Sequence, residues 1–308
     1  MNLKKPDFWD LKKPNIFAYL LYPLSLLIKF IVFFFRTSSP KQFGIKTICV
    51  GNIYVGGTGK TSLSLKINKI LTQKKIKSCF IKKFYKDQID EQKLLQKNGK
   101  LYISSKRINA IKNAESAKYE VAIFDDGLQD RSIKYDISIV CFNNINWIGN
   151  GMCLPAGPLR ENIKNLKKYD CLFLNGNLEN INDLKNKILN INPKINIFVG
   201  KYEPTNLSDF DKNEKYIVFS GIGNHRTFIN MIKNFELKIL KDFEFPDHYK
   251  YKSEDIKKIL IEAKNLNCKI ITTEKDYLRL DSNLLEKIQF IKSDLKIIDE
   301  ENFIKLII

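Results

Sequence analysis

Hydrophobic residues along this chain alternate between short apolar runs and segments with helical spacing. Residues 47–50 form an apolar run that predicts a buried strand. In the next segment the apolar residues recur about one helical turn apart, at Leu63, Ile67, Ile70 and Leu71. A strand followed by a helix that packs on the sheet is the repeating unit of doubly wound α/β proteins. The pattern therefore predicts that the chain starts its main sheet here.

The same alternation continues toward the C-terminus. Further strands are predicted at residues 77–83, 119–124, 136–142, 171–174, 195–199, 216–220 and 269–273, and helices at residues 107–117, 181–189 and 256–265. We predict an α/β fold with a doubly wound, mostly parallel sheet and a second, smaller α/β domain. The predicted division is an apolar N-terminal helix in residues 1–40, the main domain in residues 41–200, and a C-terminal domain in residues 201–308 that closes a cleft.

A glycine-rich turn, VGGTGKT at residues 55–61, separates the first strand from its helix. Backbone amides at a helix start attract phosphate, the lysine reaches the β/γ-phosphates, and the last hydroxyl binds Mg²⁺. The fold is therefore predicted to resemble P-loop NTPases. One departure is Tyr54, where the usual loop has its first glycine, and the alternative is a simple turn between strand and helix. The nucleotide-binding residues indicated are Gly56, Gly57, Thr58, Gly59, Lys60 and Thr61.

Two carboxylate pairs follow predicted strands. Asp125 and Asp126 end the strand at residues 119–124, as in the acidic strand that positions Mg²⁺ in phosphoryl-transfer enzymes. Alternatively, either residue only caps the next turn. Asp90 and Glu91 come after the second strand, where doubly wound sheets place their chemistry. The alternative for this second pair is a solvated helix start.

Two later segments carry further candidates. Residues 149–161 form a long glycine- and proline-rich loop that ends in Arg160 and Glu161, a phosphate-binding cation beside a metal-binding carboxylate. His248 is one of two histidines, and an isolated histidine is more often structural than catalytic.

An apolar segment precedes the phosphate loop at residues 16–35 and has basic residues on both sides. It has about the length of a membrane-spanning helix. Pro23, Ser25 and Lys29 interrupt it, which favours a helix lying in the membrane surface over a span. A buried core helix is the remaining alternative.

The composition limits the classes of molecule that this protein is expected to bind. Lys and Arg number 52 against 34 Asp and Glu, a net charge of +18, which indicates an anionic partner unless the excess is compositional bias on solvated faces. The six cysteines lack C-x-x-C spacing, so we expect reduced core thiols in a cytosolic protein. No basic and aromatic platform for nucleic acid is visible, and we expect no nucleic-acid partner.

Taken together, the motifs resemble one family, tetraacyldisaccharide 4'-kinase, the lipid A 4'-kinase. The residues that carry the resemblance are GNIYVGGTGKT at 51–61, DDGLQ at 125–129, GNGMCLPAGPLRE at 149–161, GIGN at 221–224, FPDH at 245–248 and TEKD at 273–276. They occur in the family's order and span nearly the whole chain.

The resemblance implies transfer of the γ-phosphoryl group of ATP to the 4'-hydroxyl of an acylated glucosamine disaccharide 1-phosphate. It also implies work at the cytoplasmic face of the bacterial inner membrane, with membrane-surface contact. Lys60 and Thr61 then correspond to the residues that hold ATP and Mg²⁺, and Asp90 and His248 to catalytic residues. We further assign Asp126 and Arg160 to catalysis, with Arg160 stabilising the transferred charge. The Mg²⁺ environment is assigned to Thr61, Asp125, Gln129 and Glu161.

Three positions depart from the family pattern. Asp130 follows DDGLQ where histidine is usual, and Tyr249 follows FPDH where a second histidine is common. Residues 83–86 read KFYK in place of an Arg-Gly-Tyr-Gly run. The chain also resembles membrane-surface partitioning ATPases. Those proteins carry a signature lysine just before the paired glycines, and this chain has Val55 at that position.

Overall fold

A computed structural model describes residues 5–34, 39–85, 88–176, 179–247 and 249–308. Its strands, in chain order, are β1 (Lys46–Gly51), β2 (Ser78–Lys83), β3 (Leu101–Ser104), β4 (Val121–Asp125), β5 (Ile137–Asn143), β6 (Cys171–Asn175), β7 (Asn196–Pro204), β8 (Lys215–Ser220), β9 (Lys238–Glu244), β10 (Lys269–Thr273), β11 (Gln289–Ile291) and β12 (Ser293–Ile297). The α-helices are α1 (Ile16–Phe34), α2 (Lys60–Gln73), α3 (Ile89–Asn98), α4 (Arg107–Ser116), α5 (Ile181–Ile191), α6 (His225–Asn234), α7 (Ser253–Asn265), α8 (Glu274–Tyr277) and α9 (Glu300–Ile307).

The larger sheet has the order β12-β7-β6-β5-β1-β4-β2-β3 within the described residues. Its strands pair in parallel except for β12, which runs antiparallel to β7 at one edge. Buried side chains on β1 alternate between two cores, with Ile48 and Val50 on one face and Cys49 on the other. Because helices cover both faces, the arrangement is the doubly wound α/β sheet predicted from the hydrophobic pattern.

A smaller parallel sheet, ordered β11-β10-β8-β9, follows in the C-terminal part. It also has cores on two faces, with Val218 on one face and Ile217 on the other. The chain then returns through β12 and α9 to the larger sheet, where Phe303 is fully buried. This return was missed because β12 has few apolar residues. The predicted division at residues 40 and 200 stays a prediction.

Helix α1 lies largely at the surface. Its apolar side chains are mostly exposed, while Ala18 and Ser25 are buried. The Ser25 hydroxyl donates a hydrogen bond of 3.0 Å to the Cys153 carbonyl and so fixes the helix to the loop at residues 149–161. The buried-helix alternative is therefore wrong. None of the helices that the structure describes combines the length and apolar character needed to cross a membrane.

The cysteines are free thiols throughout the described chain. Five are buried, and Cys268 is partly exposed. Burial raises the pKa of the Cys79 thiol to about 12, although Lys77 acts in the opposite direction. A thiol with so high a pKa is protonated and unreactive at neutral pH. The predicted core position is confirmed for five of the six cysteines, all except Cys268.

Candidate active site

The glycine-rich turn links the end of β1 to the start of α2. Gly59 precedes α2 with a φ of 80°, a left-handed conformation that favours glycine. A Cβ on Gly59 would lie 2.0 Å from Asn175 Nδ2, and that amide donates a hydrogen bond to the Thr58 carbonyl. A side chain at this position is therefore excluded by both conformation and space. The first amides of α2 lack partners within the helix, and residues 60–62 at this helix start line a cleft, which is the arrangement of a phosphate site.

The acidic end of β4 lies beside this turn because β4 is the neighbour of β1, with Asp125 opposite Val50. The Asp125 carboxylate is fully buried. Its Oδ2 accepts a hydrogen bond of 3.3 Å from the Thr61 hydroxyl, and its Oδ1 accepts one of 3.2 Å from Ser64. The strand order thus joins two motifs that are far apart in sequence.

Lys82 of β2 is the second partner of Asp125. Its Nζ lies 2.5 Å from Asp125 Oδ2 and 2.8 Å from Glu91 Oε2. Burial alone would lower the pKa of Lys82, but the two carboxylates outweigh burial and raise it above the ordinary lysine value. Lys82 is therefore a charged ammonium with only 1% of its side chain exposed.

Asp126 has a φ of 58°, and its side chain points toward Lys60 of the phosphate loop. Its Oδ1 lies 3.7 Å from Lys60 Nζ and 3.1 Å from Arg160 Nη1. Burial would raise the pKa of Asp126, but Lys60, Arg160 and Lys82 outweigh it and hold the pKa below its usual value. The carboxylate is therefore charged at neutral pH.

Gln129 and Glu161 extend this polar group. Gln129 Oε1 accepts a hydrogen bond of 3.1 Å from Arg160, and its Nε2 donates one of 3.2 Å to Glu161 Oε1. Glu161 also accepts hydrogen bonds from Asn165 and Tyr169. These contacts hold Arg160 toward Asp126. Glu161 is consequently shared among several neutral donors.

Asp90 and Glu91 occupy the first turn of α3. Arg279 Nη2 lies 2.5 Å from Asp90 Oδ2, and Lys275 Nζ lies 3.4 Å from the same oxygen. Lys275 also contacts Glu91 at 3.3 Å and Asp247 at 3.8 Å. Because Lys275 and Arg279 belong to the small-sheet part, these ion pairs join the two sheets at Asp90. His248, proposed to act with Asp90, lies outside the described residues.

A cleft of about 1820 Å³ lies between the two sheets. The predicted residues that line it are Gly56, Gly57, Thr58, Gly59, Lys60, Thr61, Asp126 and Arg160. Asp90, Asp125 and Gln129 do not line it themselves but contact residues that do, and Glu161 contacts Gln129. Gly57 and Gly223 meet across the cleft, since a Cβ on Gly223 would lie 2.3 Å from the Gly57 nitrogen. The two glycine turns are thus in backbone contact.

Comparisons with known proteins agree with this geometry. The family model described as Tetraacyldisaccharide-1-P 4'-kinase matches residues 17–308. The chain belongs to this family. It is 58% identical to the tetraacyldisaccharide 4'-kinase of Pelagibacter ubique over 305 residues, covering 98% of this chain and 96% of the relative. Identity to the Rickettsia akari enzyme of the same name is 34%, with 91% and 90% covered.

A solved structure is also similar. The chain superimposes on LpxK from Aquifex aeolicus, determined in complex with ATP, with a TM-score of 0.68 and 26% identity. The match covers 95% of this chain and 98% of that one. The resemblance to the kinase family is therefore confirmed, and the partitioning-ATPase alternative is not favoured.

Sequence reasoning missed three residues of this site, Lys82, Asn175 and Arg279. For Lys82 a signal existed, because a lysine inside an apolar strand has to be paired when buried. Asn175 and Arg279 carried no comparable signal, since polar residues after a strand or helix are common. Asp130, where the family usually has histidine, accepts a hydrogen bond of 3.3 Å from buried Arg107. Arg107 also donates to the Asp126 carbonyl, so this pair supports the turn after β4.

Proposed function

We propose that this protein transfers the γ-phosphoryl group of ATP to the 4'-hydroxyl of a tetraacylated glucosamine disaccharide 1-phosphate. The observation that carries the proposal is that the phosphate loop, the Asp126 and Arg160 pair and Glu91 at the acidic start of α3 face one cleft. Family membership supplies the substrate class. A bond forms between the substrate O4' and the γ-phosphorus, the bond from that phosphorus to the bridging oxygen breaks, and ADP leaves.

ATP is proposed to bind with its β- and γ-phosphates on the turn from Gly56 to Lys60. The unpaired amides at the start of α2 and the Lys60 ammonium supply positive charge there. Support comes from the Aquifex aeolicus relative, whose structure was determined with ATP. Arg160 is proposed to stabilise charge on the transferred group, and its hydrogen bonds to Asp126 and Gln129 support this role by fixing the guanidinium beside Asp126.

Mg²⁺ fits the donor set beside these phosphates. Thr61 and Asp125 offer a hydroxyl and a carboxylate oxygen within 3.3 Å of each other, and Mg²⁺ prefers oxygen ligands shared with substrate phosphates. Asp126, Gln129 and Glu161 would complete the surrounding oxygens. When bound, the ion neutralises charge on the β- and γ-phosphates.

Asp90 is proposed to take the proton from the 4'-hydroxyl as that oxygen attacks. The cations Arg279 and Lys275 favour the charged carboxylate, which is the form that accepts a proton. His248 is proposed to assist it. Support for this pairing is that Asp247, the residue before His248, contacts the same Lys275 that touches Asp90.

The surface of α1 is proposed to rest on the cytoplasmic face of the bacterial inner membrane. Leu20 and Leu27 have 69% and 53% of their surface exposed, and apolar burial together with basic flanks favours an anionic lipid surface. Ser25 fixes α1 to the loop that carries Arg160. This arrangement would keep the cleft close to a substrate whose acyl chains stay in the bilayer.

The direct test is a phosphotransfer assay with γ-labelled ATP, Mg²⁺ and the tetraacyl disaccharide 1-phosphate. Label should appear on the lipid at the 4' position, located by NMR of the product. Lys60→Ala should reduce the rate by at least about 10²-fold, because a charge contact to the transferring phosphates is lost. Lys69→Ala is the matched control, since Lys69 lies on the same helix with 54% of its side chain exposed. Release of label as free phosphate, with no labelled lipid, would contradict the proposal.

A further inference from the structure

The ammonium of Lys82 occupies a buried position between the proposed magnesium site and α3. Asp125 is fully buried, and Lys82 is 1% exposed, so neither charge is neutralised by solvent. Removing one partner from such a pair leaves an uncompensated buried charge. Each of these two buried charges therefore needs a counter-charge at every stage of the reaction cycle.

Lys82 contacts the same carboxylate oxygen that the magnesium site offers. Asp125 Oδ2 lies 2.5 Å from Lys82 Nζ and 3.3 Å from the Thr61 hydroxyl. Among the described residues, no three His, Cys, Asp or Glu side chains are grouped so that they could hold a metal ion. Protein ligands alone therefore make a weak site, which phosphate oxygens have to complete.

A second carboxylate is available to the ammonium. Glu91 Oε2 lies 2.8 Å from Lys82 Nζ, on the side of α3. When a divalent cation neutralises Asp125, Lys82 keeps this partner and need not be left unpaired. The ammonium thus contacts both carboxylates from one position, and Glu91 remains its partner if Asp125 is neutralised.

We propose that Lys82 is the resident counter-ion of the magnesium site. It neutralises Asp125 while the site is empty of nucleotide and repels a free divalent cation. Mg²⁺ then binds together with ATP and not before it. The reason is that Lys82 neutralises the Asp125 carboxylate, so the negative charge that attracts the ion has to come from the phosphates. This inference rests on the proposed function, since it concerns how the same site is loaded. Lys82 acts through Asp125 and is a positioning residue.

The test measures divalent-cation binding in the absence of ATP and lipid, on the full-length protein. Lys82→Met removes the ammonium and should increase affinity for Mn²⁺, measured by EPR, by at least about tenfold, since the repulsion between charges a few ångström apart is worth that much. The melting temperature of Lys82→Met should be low in EDTA, because the buried Asp125 carboxylate then has no counter-charge, and it should rise when Mg²⁺ or Mn²⁺ is added. Lys82→Arg keeps the charge and should behave as the native protein does.

Lys66→Met is the matched control. Lys66 is also mostly buried, with 11% of its side chain exposed, and it pairs with Glu300 at 3.1 Å away from the cleft. This variant should lose stability that no metal restores. If Lys82→Met shows unchanged Mn²⁺ affinity and no recovery with metal, Lys82 is only a structural anchor and the proposal is overturned.

A second variant covers the case in which Lys82→Met does not fold. Glu91→Gln leaves the ammonium with Asp125 alone, so the Mg²⁺ concentration needed for half-maximal stabilisation by a non-hydrolysable ATP analogue should rise at least about threefold. An unchanged Mg²⁺ requirement would overturn the proposal. None of these measurements needs the lipid acceptor. They therefore test the role of Lys82 independently of the phosphotransfer assay that tests the proposed function.

Discussion

Replacing Gly223 by alanine should force apart the two glycine turns that meet across the cleft. A Cβ on Gly223 would lie 2.3 Å from the Gly57 nitrogen and 2.5 Å from its Cα, whereas ordinary contacts begin at 3.4 Å. Both close atoms are backbone, so no side-chain rotation relieves the overlap. Gly223 is not among the residues with positive φ, so alanine suits its backbone conformation. The perturbation is therefore a displacement of the phosphate loop or the small sheet by about 1 Å.

A displacement of this size at the phosphates should reduce kcat/KM by about 10²-fold, or about 2.7 kcal/mol of transition-state stabilisation. The free energy of unfolding should change by less than about 1 kcal/mol, because no core side chain is altered. The assay is steady-state phosphotransfer with ATP varied at saturating lipid, together with urea unfolding. Gly44→Ala is the control, since its Cβ would meet only the end of the Glu115 side chain, at 3.0 Å.

Kinetics within twofold of the native enzyme for Gly223→Ala would refute this reasoning. That result would mean that turnover does not require contact between the two turns. A large loss of stability with proportionate loss of activity would also count against it, because the effect would then come from unfolding. Retained stability with a selective loss of kcat/KM is the outcome that identifies the contact as part of the working cleft.

Other predictions address the base, the charge network and the membrane. Asp90→Asn should lower kcat by about 10²–10⁴-fold while ATP affinity, measured by calorimetry, stays near native; an active variant would exclude Asp90 as the base. Burial opposes the charge of Asp126, but neighbouring cations outweigh it and lower the pKa of this carboxyl. The charged carboxylate therefore stabilises the folded protein fully above about pH 4, the pKa of an unfolded Asp, and this stabilisation is lost as the pH falls through the lowered pKa. The free energy of unfolding, measured in urea, should therefore differ less between the native protein and Asp126→Asn as the pH falls. A difference that grows at low pH would contradict the lowered pKa. Leu20→Glu combined with Leu27→Glu should release the protein from anionic vesicles in sedimentation, whereas Ile261→Glu, on an exposed site elsewhere, should not.

Local sequence determined much of this protein. Apolar runs and helical spacing predicted strands such as Cys171–Asn175 to within one residue, because the apolar run of this strand is buried in the sheet. The glycines around Lys60 predicted the phosphate turn, since the required conformation is encoded in adjacent residues. Elements with mixed polarity were missed. Strand β3 is only partly buried and β9 is mostly exposed, so their sequences carry little periodic signal.

Only the tertiary structure decided which charges meet. Asp90 and Arg279 are separated by 189 residues, and their contact depends on docking of the small sheet against the large one. Likewise, Lys82 reaches Asp125 because β2 and β4 are neighbours in the sheet, although α3, β3 and α4 lie between them along the chain. Sequence patterns report whether a residue is buried but not which charged partner accompanies it. Pairing of buried charges is a long-range property, since each charge requires a counter-charge that folding brings from elsewhere.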